Sequence, residues 1–295
     1  TVWGIAEVLV SHAEGIAVGE RLYGFFPMAS HVVMRPGERS ERGFTDAMPH
    51  RSELPGLYNY YARTQSEPAQ LQALEDQRCI FFPLFMTGYV IADLLLDNDW
   101  FGVEQILIGS ASSKTGFSTA AFIRAAGFQG AIAGLTSDQN VAFSEALGCY
   151  DRVVSYSEVG SVANEPSAYI DIAGDVEVRS RLHHSLQNNA AHTLLVGATH
   201  WDQFGQSVDG EPLPGSEPQV FFAPAQIEKR DGEWGRGVMM GKAYAASIEL
   251  VTQLAPTLLM ESYTGAEACD AIWQSLLRNQ VSGQRGVMVS LQAET

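Results

Sequence analysis

The chain of 295 residues holds only three cysteines, Cys79, Cys149 and Cys269. They are odd in number and far apart, which excludes a disulfide framework and the paired spacing of a zinc site. No metal is expected, and buried thiols in a reducing cytoplasm are the simplest reading. Cations are scarce too, with 18 Lys and Arg against 34 Asp and Glu, a net charge of -16. Such a chain repels phosphate backbones and anionic lipid, so neither nucleic acid nor a membrane is expected as a partner. The longest apolar stretch, Cys79–Leu96, is interrupted by Pro83, Thr87, Gly88 and Asp93 and reads as too short and polar for a membrane span. The first residues lack a basic segment, so no signal peptide is expected. Internal repeats and low-complexity tracts are also missing.

What is present is a core-forming chain, 46% apolar. Residues 5–33 read as short strands, AEVLVS, GERLYGFFP and SHVVMRP, with the rough alternation of a small antiparallel barrel. Residues 36–75 read as a long polar loop carrying Tyr58, Tyr60, Tyr61 and Arg63. From Phe81 onward helices and strands alternate. Strands are expected at 105–108, 131–135, 152–155, 168–172, 193–196 and 219–222, with helices at 83–96, 117–126, 141–147 and 176–186. One long helix is expected at 234–254, then a helix at 266–278 and a last strand at 286–291. That order predicts an α/β fold with a parallel sheet covered on both faces.

The segment VEQILIGSASSKTG, residues 103–116, joins a buried strand to a helix through a turn of small residues. A dinucleotide-binding turn needs tight backbone, close approach to the pyrophosphate and a helix amino end aimed at it. Against G-x-x-G-x-x-G the positions are Ser110, Ser113 and Gly116, so one glycine of three is kept. Ser112 and Thr115 add hydroxyls, and Lys114 adds a cation. Lys114-Thr115 also fits the end of a nucleoside-triphosphatase loop, but Ile108 and Ser113 stand where that loop needs glycine. The second strand ends Gly134-Leu135-Thr136-Ser137, without the carboxylate that holds an NAD ribose. Thr136, Ser137, Asn140 or Lys114 would therefore suit a 2′-phosphate, which favours NADP, and Asp138 opposes it only if its side chain turns inward.

His200 follows a strand at its carboxyl end, where open α/β sheets bind ligands, and is a candidate acid or base. Tyr58, Tyr60, Tyr61 and Arg63 offer phenols and a cation suited to an aromatic or carbonyl substrate, with Tyr60 as candidate proton donor. His183 and His184, beside Arg179 and Arg181, read as a solvated helix face. Ser112, His200 and Asp171 could be drawn as a hydrolase triad, although no G-x-S-x-G elbow supports it.

The succession GERLYGFFPMASHVV, GLTS, ALGCYDRVVSY, YIDIAG and VGATH resembles the medium-chain dehydrogenase/reductase superfamily, closest to an uncharacterised branch known only as a domain of unknown function. The resemblance implies a Rossmann domain at 94–257 and an incomplete GroES-like β-barrel domain at 1–93 plus 258–295, the front of the barrel preceding Trp3 being absent. It implies that residues 110–116 face a pyrophosphate, that Thr136 and Ser137 face the adenosine side, and that Thr87 and residues 198–200 lie at the nicotinamide end. A homodimer is a further implication, and the family's zinc ligands are missing. The resulting expectation is an NADP(H)-dependent, zinc-independent reductase of quinone or enone type. The alternatives are a hydrolase or carbon–carbon lyase reusing the cleft, or a cofactor-binding non-enzyme.

Overall fold

The computed structural model describes residues 1–197 and 212–291. The chain divides into two compact units, one of Thr1–Pro83, Leu258–Val281 and Arg285–Thr295, the other of Leu84–Thr257 and Ser282–Gln284.

The first unit begins with five strands: β1 Val2–Glu7, β2 Arg21–Phe26, β3 Pro36–Ser40, β4 Gly43–Asp46 and β5 Tyr60–Arg63. Short helices α1 Gly56–Asn59 and α2 Ala69–Gln72 lie among them. The strands pair antiparallel in the order β1-β2-β5-β4-β3. Alternation along β2 sends Leu22 and Phe26 into a core with Ile16, Phe44 and Tyr61. On the opposite face the Arg78 guanidinium lies 3.6 Å over the ring of Tyr23.

Two expectations fail here. The segment SHVVMRP is not a strand; Val33 is 77% exposed, and the chain pairs only from Pro36 onward. Alternating side chains make a strand only where a face exists to bury them. Residues 36–75, expected as an irregular loop, contain three of the strands. The edge strand β3, PGERS, carries polar side chains that leave no hydrophobic period to read.

Helix α3, Glu75–Asp97, contains Pro83 and runs across the unit boundary. By length and composition it could cross a membrane, but 56% of its most apolar window is buried, which is also the pattern of a core helix.

The second unit alternates β6 Gln105–Ile108, α4 Lys114–Ala125, β7 Ala131–Thr136, α5 Val141–Ala146, β8 Arg152–Ser155, β9 Ser167–Asp171, α6 Val176–Leu186, β10 Ala190–Leu195 and β11 Gln219–Val220. All pairs are parallel, in the order β11-β10-β9-β6-β7-β8. In chain order from β6 this is 6-5-4-1-2-3, the doubly wound arrangement of dinucleotide-binding folds, with its switch point between β6 and β9. Every residue of β6 is buried, as a strand covered on both faces must be. Gly88 lets α3 lie against α4, since a Cβ there would come within 2.5 Å of Ser118 Oγ and 2.9 Å of Thr119 N.

The long helix expected at 234–254 is two helices, α7 Ala223–Trp234 and α8 Val238–Leu254. They are parted where Gly235 and Gly237 take φ of 98° and 78°. The solvated face expected on α6 holds for Arg181 and His184, which are exposed, and fails for Arg179, 2% exposed, and His183, fully buried. Residues 179, 182, 183 and 186 follow the i, i+3, i+4, i+7 spacing of a buried stripe, and the polar side chains of Arg179 and His183 between its leucines concealed it. Arg179 Nη1 donates to Asp171 Oδ2 at 2.6 Å, and Gly174 N to Asp171 Oδ1 at 2.8 Å. His183 is held between the Pro214 carbonyl at 2.7 Å and Thr193 Oγ1 at 2.9 Å.

The first unit closes with β12 Leu259–Thr264, α9 Ala266–Leu277 and β13 Arg285–Ser290, the two strands pairing parallel. β12 was not expected, since LMESYT mixes polar and apolar residues without a clean period.

Removing the Asp171 carboxylate strands a buried guanidinium. Asp171→Ala is expected to cost about 3–5 kcal/mol of stability in urea unfolding, against less than about 1 kcal/mol for Arg21→Ala, which loses only the solvent-facing pair of Arg21 with Glu75.

Candidate cofactor site

The carboxyl end of β6 leads into the turn at the switch point. Gly109 leaves room for a neighbouring phenol, as a Cβ there would lie 2.8 Å from Tyr169 Oη. Ser110 follows with φ of 51°, the left-handed region, so a serine holds a conformation that costs an L-residue about 1–2 kcal/mol. Its N–H donates to Tyr156 Oη at 2.8 Å, and Tyr150 Oη donates to the Ala111 carbonyl at 2.9 Å. Ala111 N bonds the Leu135 carbonyl at 2.9 Å, tying the turn to β7. Burial pushes all three phenols, Tyr150, Tyr156 and Tyr169, above their ordinary range, so they remain protonated. None of the three was expected at the site. Tyr150 and Tyr156 flank β8 and Tyr169 lies within β9, and that place in the strand pattern was the available signal.

Ser113 caps α4, its Oγ accepting from Gly116 N at 3.0 Å. Gly116 then packs so closely that a Cβ would lie 2.5 Å from the Ser110 carbonyl oxygen. This is the work of the third fingerprint glycine, the close packing of helix on strand. Thr115 is buried, its carbonyl accepting from Ser118 and Thr119 hydroxyls at 3.1 and 2.7 Å. Ser112 Oγ meets Thr136 Oγ1 at 3.2 Å. Lys114 begins α4, and its Nζ donates to the Gly283 carbonyl at 2.9 Å; burial pushes this ammonium down to about 8.

At the end of β7, Thr136 is buried and Asn140 Nδ2 donates to Ser137 Oγ at 3.0 Å. The Asp138 carboxylate accepts from the hydroxyls of Ser155 and Ser157, which hold it below the usual range. It is thus engaged at the end of the neighbouring strand. Ser110, Ser112, Ser113, Lys114, Thr115, Gly116 and Thr136 therefore gather around one helix amino end. Ser137 and Asn140 lie just beyond β7, and Thr87 is half-buried on α3.

The substrate candidates belong to the other unit and do not form one group. Tyr60 is 39% exposed on β5, whereas Tyr61 points to the opposite face at 1% and donates to the Phe25 carbonyl at 2.9 Å. Tyr61 is a core residue, because neighbours on a strand face opposite ways. Arg63 is taken up by Glu20, with Nε 3.2 Å from Oε2. The Tyr58 ring packs on Phe25 and Trp3 at centroid distances of 5.1 and 6.1 Å. His200, with residues 198 and 199, lies outside the described residues. The drawn triad loses its acid, since Asp171 is engaged by Arg179 and Gly174. Among the described residues no group of three or more His, Cys, Asp or Glu is placed to hold a metal.

A family model described as "Protein of unknown function (DUF2855)" matches residues 1–282, and the chain belongs to that family. No curated protein matches it. Among solved structures it is similar to the yhdH oxidoreductase from Salmonella enterica in complex with NADP, at 14% identity. That alignment covers 97% of this chain and 80% of the other, with a TM-score of 0.52. It is also similar to CurA from Vibrio vulnificus in complex with NADPH, at 12% identity, covering 99% and 89%, with a TM-score of 0.51. The likeness is one of fold, a Rossmann-type parallel sheet with a small GroES-like barrel.

Lys114 gives the ligand-free chain a pH signature. Below about pH 8 the folded state keeps a proton that is costly to bury. Between about 8 and 10.5 it has released that proton while the unfolded chain still holds one, so this residue's contribution to stability rises with pH across that window. Lys114→Met is expected to abolish this rise and to stabilise the ligand-free protein at pH 7 by about 1–3 kcal/mol, measured by urea unfolding at pH 7 and 9.5.

Proposed function

We propose that this chain is an NADP(H)-dependent, zinc-independent reductase of the quinone or enone type, acting on a small carbonyl compound. The observation that carries the reading is the turn Ser110–Gly116. It lies at the switch point of a sheet in dinucleotide-binding order, with a left-handed first residue, a capped helix and a third-glycine contact. The likeness in fold to two structures holding NADP or NADPH supports it.

The residues present fit the cofactor's anionic bridge. The amino end of α4 and its Ser113 cap suit a pyrophosphate, and Lys114 adds the cation in a chain otherwise rich in carboxylates. Thr136, Ser137 and Asn140 would hold the adenosine ribose and its 2′-phosphate, with Asp138 bound to Ser155 and Ser157. Thr87 would serve the nicotinamide end. When bound, the nicotinamide supplies the hydride. The chain's own part is to bind and orient, and to give a proton or stabilise a developing oxyanion from Tyr60 or His200, with Tyr58 against the substrate. A cytoplasmic homodimer is part of the same proposal.

NADPH titration should quench protein fluorescence with saturation, and a panel of quinones and enones should include a substrate that oxidises NADPH. Tyr60→Phe is expected to lower kcat about 100-fold or more with little effect on the NADPH Kd if Tyr60 is the donor. Absence of both NADPH binding at millimolar concentration and turnover across the panel would sink the reading.

A further inference from the structure

Residues Ser282–Gln284 group with the sheet unit, although Val281 and Arg285 on either side of them belong to the other. Gly283 places its carbonyl 2.9 Å from Lys114 Nζ, a partner 169 residues away in the chain. A Cβ on Gly283 would overlap the Ser112 carbonyl oxygen and approach Phe143 Cε1 to 3.3 Å, so no side chain fits there. Ser112 is itself joined to Thr136 at the end of β7. Three segments distant in sequence thus meet here, the turn after β6, the end of β7 with α5, and this tripeptide, and the tripeptide supplies the carbonyl that Lys114 bonds.

We propose that Ser282–Gln284 is a clasp in which the Gly283 carbonyl fixes the Lys114 ammonium at the amino end of α4, against the pyrophosphate of the dinucleotide. Gly283 is a positioning residue, acting through Lys114 and not on the ligand. The inference rests on the cofactor reading above. Its chemistry is simple: a flexible four-carbon side chain carries a cation that is useful to an anion only where it is held. A backbone carbonyl, unlike a carboxylate, holds it without neutralising its charge.

The test is calorimetric titration of the full chain with NADPH and, separately, with inorganic pyrophosphate. Gly283→Ala and Lys114→Met should each weaken both ligands about tenfold, and Lys114→Arg should restore most of the loss. In the Lys114→Met background, Gly283→Ala should cost less than about twofold, because a residue acting through Lys114 has nothing left to act on. An undiminished cost there, or tighter binding by either single variant, overturns the clasp. Should Gly283→Ala fail to fold, hydrogen exchange of residues 280–288 decides instead: it should quicken in Lys114→Met, and unchanged exchange overturns the proposal. Pyrophosphate binding with this pattern but no NADPH binding keeps the clasp and removes the reductase. NADPH binding indifferent to Lys114 does the reverse, and binding of neither ligand removes both.

Discussion

The contact between Gly116 and the Ser110 carbonyl sets the geometry at the carboxyl end of β6. α4 can begin that close to the turn after β6 only because its third residue has no side chain. That closeness is what aims the amino end of α4 across the carboxyl ends of the strands. Ser113 then caps the helix, and Tyr156 receives the N–H that the left-handed Ser110 turns toward it. Two missing glycines therefore do not dissolve the turn. One serine accepts the strained backbone, the other supplies a cap, and three phenols, Tyr169 buried and Tyr150 and Tyr156 partly so, surround the result.

Charge is placed just as locally. In a chain with few cations, Arg78, Arg179 and Arg230 are buried and paired with Glu67, Asp171 and Asp93. Such pairs define where segments meet more than they add stability, because desolvation offsets much of their attraction. Lys114 differs in meeting a backbone carbonyl, and burial leaves its proton less tightly held.

The sequence could be read wherever burial imposed a period. The all-buried run QILI, the strand RVVS and the helix VEVRSRLHHSL have the bounds expected of them. Reading failed where polar residues did structural work. The edge strand PGERS carries no apolar alternation, and Arg179 and His183 occupy a buried stripe that their hydrophilic side chains concealed. Gly235 and Gly237 break a helix that apolar spacing alone would continue. At the site, the small-residue turn and its lysine were legible from local chemistry. The tyrosines around it and the carbonyl of Gly283 were not, since only the folded path of the chain brings them there. Tyr61 shows the converse: a phenol in a suggestive cluster proved to be core because its strand position faces inward.

The placement of Gly283 also bears on how the molecule is made. During synthesis from the amino end, every strand of the parallel sheet is available before β12 and α9 have been translated, whereas the tripeptide that meets Lys114 follows them. The sheet can therefore assemble on the ribosome while Lys114 still lacks this carbonyl. A nascent chain halted before Gly283 would carry a folded sheet whose Lys114 had not yet met this carbonyl. Completion of this contact thus trails completion of the sheet's strands by the time it takes to translate α7, α8, β12 and α9.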